Sequence, residues 1–118
     1  MKDVPPREQP ISERYRIEAR KYCALNAAAT FLEEMKTSRL ATLKTQLMAA
    51  DGAMAENKAE RLVKSSDDWH AYIKAMCDAR AAAELSREEL AALRMQFGEW
   101  QAADASARAE YKLGRAGP

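Results

Sequence analysis

The sequence predicts an all-α protein, on three observations of composition. Valine and isoleucine together number only five of 118 residues, and glycine and proline together number eight, too few for an ordinary β-sandwich or barrel. Charged residues make up 31%, and Ala, Leu, Met, Glu, Lys and Arg are abundant, which is typical of long helices. Because 25 of the apolar residues are alanines, we expect a core that is a narrow stripe of larger side chains.

The first helix is predicted to span about residues 12–50. Ser12 is a good N-cap just after Pro10, and no Gly or Pro interrupts the pattern before Asp51-Gly52. Steps of three and four residues pass ten positions, of which eight are apolar. These positions, the first seam, are Tyr15, Glu18, Tyr22, Leu25, Ala29, Leu32, Lys36, Leu40, Leu43 and Leu47.

A short amphipathic helix is predicted within 53–64, followed by a second long helix over about 66–113. Ser65-Ser66-Asp67-Asp68 supplies a capping hydroxyl and two carboxylates for the first turn of that helix. The S-x-x-E pattern at Ser86 leaves open a kink there, although the flanking alanines favour a continuous helix. The same steps define the second seam: Trp69, Tyr72, Met76, Ala79, Ala83, Ser86, Leu90, Leu93, Phe97, Trp100, Asp104, Ala107 and Tyr111.

We therefore expect two long antiparallel helices joined by a short connecting helix. Such a hairpin leaves much of its apolar surface uncovered, and self-association into a dimeric helical bundle or coiled coil is the simplest remedy. The expected organisation is a disordered arm over 1–11, one hairpin domain over 12–113 and a disordered tail over 114–118. In that hairpin Tyr15 should approach Trp100, and Tyr22 should approach Phe97.

The sequence shows no catalytic, cofactor-binding or metal-binding residues. His70 is the only histidine and has no evident partner, and the adjacent carboxylate pairs point about 100° apart on a helix. Cys23 and Cys77 lack the spacing of a zinc site, and we expect two reduced thiols that behave as small hydrophobic residues. No apolar run is long enough for a membrane span and no signal sequence is evident, so we expect a cytoplasmic protein without a membrane partner.

Two groups of basic residues bear on possible partners. The densest group is Arg14, Arg16, Arg20 and Lys21, which with the neighbouring tyrosines could bind nucleic acid or simply form a solvated helix face. The second group lies on one flank of the second seam, where arginine commonly pairs with acids of a facing helix. Its members are spaced by seven, seven and fourteen residues: Arg80, Arg87, Arg94 and Arg108.

Aromatic residues and arginine give the strongest candidate for a protein-binding surface. These side chains dominate interface energies, whereas the rest of the seams is largely Leu and Ala, which suits self-packing. The sequence leaves open whether Trp100 and Tyr111 belong to the core or to an interface. The candidate partner-binding residues are Tyr15, Arg16, Tyr22, Trp100, Arg108 and Tyr111.

Residues 59–113 resemble small helical proteins of unknown function encoded by bacteriophages and prophages. The similar features are V-K-S-S-x-x-W from Val63, A-R-x-A-A from Ala79, F-x-E-W-Q from Phe97 and A-R-A-E from Ala107. The resemblance implies a phage accessory protein that acts by binding and supplies no active-site residues. We expect a non-enzymatic protein that modulates or inhibits a host or phage complex of defence or recombination. The alternative is a nucleic-acid-binding accessory protein of phage recombination or replication.

Overall fold

The structure is a computed structural model that describes residues 10–116, and within them it is all-α, as predicted. No strand occurs in this part of the chain. The predicted short connecting helix is confirmed as α3. Four helices follow one another: α1 (Ile11–Glu34), α2 (Lys36–Ala50), α3 (Glu56–Lys64) and α4 (Asp67–Ala116).

The chain divides into two compact units. The first takes in Met1–Tyr22 and Leu85–Pro118, and the second is Cys23–Glu84. The predicted disordered arm lies outside the described residues except for Pro10 and Ile11, and Ile11 begins α1. Of the predicted tail, residues 114–116 are helical and the last two lie outside the described part. The single domain over 12–113 stays a prediction.

The prediction of one uninterrupted helix over 12–50 is wrong at Met35. This residue forms a turn between α1 and α2, with φ −84° and ψ −2°. The Tyr72 hydroxyl of α4 donates a hydrogen bond to the carbonyl oxygen of Leu32, three residues earlier. A side chain that enters the backbone hydrogen-bond ladder is a known cause of helix interruption, which explains the position of the break.

The core of the second unit forms where α2, α3 and α4 meet. Leu43, Val63 and Trp69 are buried together, and the rings of Trp69 and Tyr72 stack with centroids 5.9 Å apart. Ser66 fixes the start of α4, because its hydroxyl accepts a hydrogen bond from the Trp69 backbone N–H at 3.2 Å. The predicted capping role of this serine segment is therefore confirmed.

Small side chains occupy the most buried positions of both seams. Ala29 and Ala83 are fully buried, although the two alanines before each of them are exposed. Close helix packing therefore uses one alanine of each triplet, while the others only favour the helical conformation. Ser86 is also buried, and α4 continues through it without a break, as the sequence favoured.

Arg80 joins α4 to α1 within the second unit. Its guanidinium donates to both carboxylate oxygens of Glu33, at 2.9 and 2.7 Å, and to the side-chain oxygen of Asn26 at 2.8 Å. The predicted pairing of a seam-flanking arginine with an acid of the facing helix is thus confirmed at this position. The hydrogen bond from Arg80 lowers the pKa of the Glu33 carboxyl below its usual value of 4.5.

The lowered pKa makes the contribution of Glu33 to folding dependent on pH. A carboxyl whose pKa is lower in the folded chain stabilises the fold above its unfolded pKa, and that stabilisation is lost as the pH falls through the folded value. Glu33→Gln should therefore reduce the free energy of unfolding at neutral pH, and the difference from wild type should shrink below pH 4.5. Urea unfolding at several pH values measures this difference. Glu34→Gln, on the neighbouring exposed residue, is the control and should show no such trend.

Candidate partner-binding surface

In the first unit the beginning of α1 packs antiparallel against α4. Leu90 and Leu93 are buried there, and Arg94 of α4 donates a hydrogen bond to the Tyr15 hydroxyl at 3.2 Å. Arg94 also lies over the Tyr15 ring, 5.9 Å from its centroid, and Lys21 pairs with Glu89 at 3.6 Å. Tyr15 therefore lies opposite Arg94, whereas the predicted hairpin placed it near Trp100.

Two open cavities lie where α1 begins. One, of about 190 Å³, is lined by Pro10, Ile11, Ser12, Phe97 and Trp100. The other, of about 300 Å³, is lined by Ser12, Tyr15, Arg94 and Phe97. The rings of Phe97 and Trp100 stack with centroids 6.0 Å apart. The predicted pairing of Tyr15 with Trp100 is therefore wrong, because Tyr15 lines a cavity with Phe97 and Trp100 lies beside Pro10 and Ile11.

The second seam is exposed beyond Phe97 and has no facing helix in this unit beyond Trp100 among the described residues. Residues 98–115, which we call the distal segment, are all helical and all exposed. Trp100 is 54% exposed, Tyr111 65% and Leu113 74%. The helix that faces α4 in this unit begins at Ile11, and Pro10 and Ile11 lie beside Trp100, so no described residue of the unit faces the part of the distal segment beyond Trp100. The seam positions of that part repeat at the same spacing as the covered ones.

The predicted partner-binding residues fall into two groups. Tyr15 and Tyr22 are half-buried in α1 beside the exposed Arg16, close to the end of the hairpin. Tyr111 lies eleven residues beyond Trp100 on the same helix, or about 16 Å. The fold therefore does not bring Tyr111 or Arg108 to the hairpin end.

The side chains of Arg108 and Tyr111 each contact a charged residue one turn away on α4. Arg108 pairs with Asp104 at 3.1 Å, and Arg115 lies 5.6 Å from the centroid of the Tyr111 ring. Both contacts are exposed, so each contributes little to stability and is easily rearranged when another chain binds.

The basic group near Tyr15 is divided between faces of α1. Lys21 is paired with Glu89, and Arg14 is half-buried. Arg16 and Arg20 are exposed one turn apart and form no ion pair with any residue in 10–116. Only these two of the four predicted nucleic-acid-binding residues therefore present their charge together.

Groups with chemical reactivity do not cluster in the described part of the chain. His70 is exposed, and no three His, Cys, Asp or Glu side chains of residues 10–116 are placed to hold a metal ion. Cys23 and Cys77 are both exposed and form no disulfide. The expectation that they pack as small hydrophobic residues is therefore wrong. Each lies next to a seam position, at Tyr22 and Met76, and points away from the covered face.

Sequence reasoning missed several apolar residues that line surface openings. The predicted helix cap is Ser12, yet Ile11 already begins α1 and lines the cavity beside Trp100. In the second unit Phe31 and Met35 are 62% and 41% exposed and line an open cavity of about 240 Å³ with Tyr72. Phe31 and Met35 are four residues apart and lie off the first seam. This spacing puts both side chains on one side of the helix, and it is the sequence signal from which a second apolar face could have been predicted.

No protein-family model, curated protein or solved structure matches this chain. Among the helices of residues 10–116, none is both long and apolar enough to cross a lipid bilayer. Any function assigned to this chain therefore depends on the geometry of its surface.

Both tryptophans lie on the second seam, but they should respond differently to truncation. Trp69→Ala removes a buried ring and should lower the free energy of unfolding by about 3–5 kcal/mol. Trp100→Ala removes a half-exposed ring and should cost no more than about 1 kcal/mol. Urea unfolding followed by circular dichroism measures both values. A loss for Trp100→Ala as large as that for Trp69→Ala would place Trp100 in the core.

Proposed function

We propose that this protein is not an enzyme and acts by binding another protein. The proposed binding surface is the distal segment together with the neighbouring part of α1 that carries Tyr15, Arg16 and Tyr22. The observation that carries the proposal is the continuation of the second seam beyond Phe97, with Trp100 and Tyr111 more than half exposed. A regular apolar stripe on an unpartnered helix face is the form in which helices recognise other helices or grooves.

The chemistry of the surface supports a protein as the partner. Interface centres are enriched in Trp, Tyr and Arg, and the exposed Trp100, Tyr111 and Arg108 supply all three. Single exposed apolar residues are ordinary on protein surfaces, whereas a spaced series on one helix face is a feature of interaction sites. The cavity beside Trp100 would accept an apolar side chain of the partner.

The proposed role is that of a phage accessory protein that modulates or inhibits a host or phage complex in the host cytoplasm. The resemblance of residues 59–113 to phage and prophage proteins supports this setting. Complexes of host defence and of recombination are the proposed targets, because the small phage and prophage proteins that the chain resembles are often encoded among early or recombination genes.

Affinity capture from host lysate tests the proposed function. The wild-type chain should retain a stoichiometric protein partner after nuclease treatment, and Trp100→Ala with Tyr111→Ala should weaken capture by about 2 kcal/mol or more, at least thirtyfold. Met95→Ala is the matched control, because Met95 is 69% exposed on the same helix but lies off the seam. Equal capture by all three chains would contradict the assignment of the surface.

A second candidate function is binding of nucleic acid, and the exposed pair Arg16 and Arg20 favours it. Two cations one turn apart on a helix can contact neighbouring phosphates. If this function is correct, the wild-type chain should shift a DNA or RNA probe at about 50 mM salt, and Arg16→Glu with Arg20→Glu should abolish the shift. Arg39→Glu, on an exposed residue of α2, is the control. Absence of any shift would remove this candidate.

A further inference from the structure

The beginning of α1, residues 11–22, packs against α4 through shallow contacts. No residue of this segment, which we call the strap, is buried, although Leu90 and Leu93 of α4 are buried in the same unit. Ile17, one of the two isoleucines of the strap, is 47% exposed. A segment that buries little apolar surface gains little free energy from its contacts, so it opens more readily than the rest of a fold.

The polar contacts between the strap and α4 are exposed to solvent. Arg94 donates a hydrogen bond to the Tyr15 hydroxyl at 3.2 Å, and Lys21 pairs with Glu89 at 3.6 Å. The side chains of Lys21 and Glu89 are 52% and 47% exposed. Exposed ion pairs and hydrogen bonds contribute little to stability, because water competes for the same groups. These contacts therefore position the strap without adding much to its stability.

Two buried polar atoms favour the opening of the first unit. Within residues 10–116, Oε2 of Glu18 in the strap and Oγ of Ser86 on α4 are the buried side-chain nitrogen or oxygen atoms without a hydrogen-bond partner. Burial of such an atom costs free energy, and water supplies the missing hydrogen bond when the packed helices separate. Both atoms belong to the unit that contains the strap, so the packing defect is confined to that unit.

The strap also has a weaker tendency to be helical than the part of α4 against which it packs. Pro10 precedes the first residue of α1, and a proline side chain has no acceptor for the free backbone N–H groups of the first turn. The strap contains two isoleucines, two tyrosines and one alanine, whereas residues 85–97 consist largely of Leu, Ala, Glu, Arg and Met. When the two helices separate, unwinding therefore begins at Ile11 and α4 stays helical.

We propose that the strap, weakened by the unpartnered Glu18 carboxyl oxygen, unwinds locally and detaches from α4 while the second unit stays folded. The opening uncovers Leu90 and Leu93, so that the exposed part of the second seam extends back from Trp100 to Leu90. The strap is thus a conformational device that sets how much of this seam is accessible. The inference goes beyond the proposed function, because the opening needs no partner and is measured on the isolated chain.

Native-state hydrogen exchange of the full chain, followed by NMR at several low urea concentrations, tests the opening. Amides of residues 18–22 should be at least about a hundredfold less protected than those of residues 27–30 in the same helix, with little dependence on urea. Amides of residues 90–93 should be better protected than those of the strap, because α4 stays helical. Uniform protection along α1 overturns the proposal. Equal exchange of the strap and residues 90–93 also overturns it, because the whole unit then unfolds together.

Glu18→Leu tests the cause of the opening. The variant replaces the unpartnered carboxyl by an apolar side chain at the same seam position, and it should raise the protection of residues 19–22 at least about tenfold. Arg20→Leu, on an exposed residue of the strap, is the matched control and should change the protection by less than about twofold, because arginine, glutamate and leucine have similar helix propensities. No gain in Glu18→Leu, or the same gain in the control, overturns the proposal.

Discussion

The apolar seam of α4 needs a facing helix, and the main features of each unit depend on that requirement. In the second unit its buried positions are covered by helices on which Ala29 and Leu43 are themselves buried. In the first unit the beginning of α1 covers Leu90 and Leu93. At Trp100 only Pro10 and Ile11 lie beside the seam, and beyond it the seam has no facing helix among the described residues of the unit; the candidate surface is this part. The candidate partner-binding surface is thus the part of the α4 seam that no helix of the described chain covers.

Much of the fold could be predicted because the seams are regular. Nearly every predicted seam position up to Phe97 is buried or half-buried, and Lys36 is the exception. The break beside it also had a signal, since the steps from Leu32 to Lys36 and from Lys36 to Leu40 are both four residues. Two successive fours rotate the apolar stripe by about 100° relative to a seven-residue repeat. The break between α1 and α2 at Met35 lies at this change of spacing.

The pairing of the helices and the limits of the site could not be predicted from the same pattern. A seam that repeats every seven residues matches its partner again after a shift of seven, so Tyr15 could face Arg94 or a residue near Trp100. Both tryptophans lie on the second seam, but Trp69 is buried against Leu43 and Val63, whereas Trp100 lies where the facing helix α1 begins and is 54% exposed. The spacing of residues in α4 contains no information about that place.

The isolation of the distal segment has a consequence for the energetics of recognition. Beyond Trp100 the segment is an exposed helix of about fifteen residues with no facing helix among the described residues of its unit. Such a helix is only marginally stable in water, and its alanines supply most of its tendency to remain helical. Helix formation and binding are therefore linked in this segment, since a partner that covers it must also hold it ordered. Exposed positions such as Ala105, which contact nothing in the described chain, then influence affinity through the helix–coil equilibrium alone.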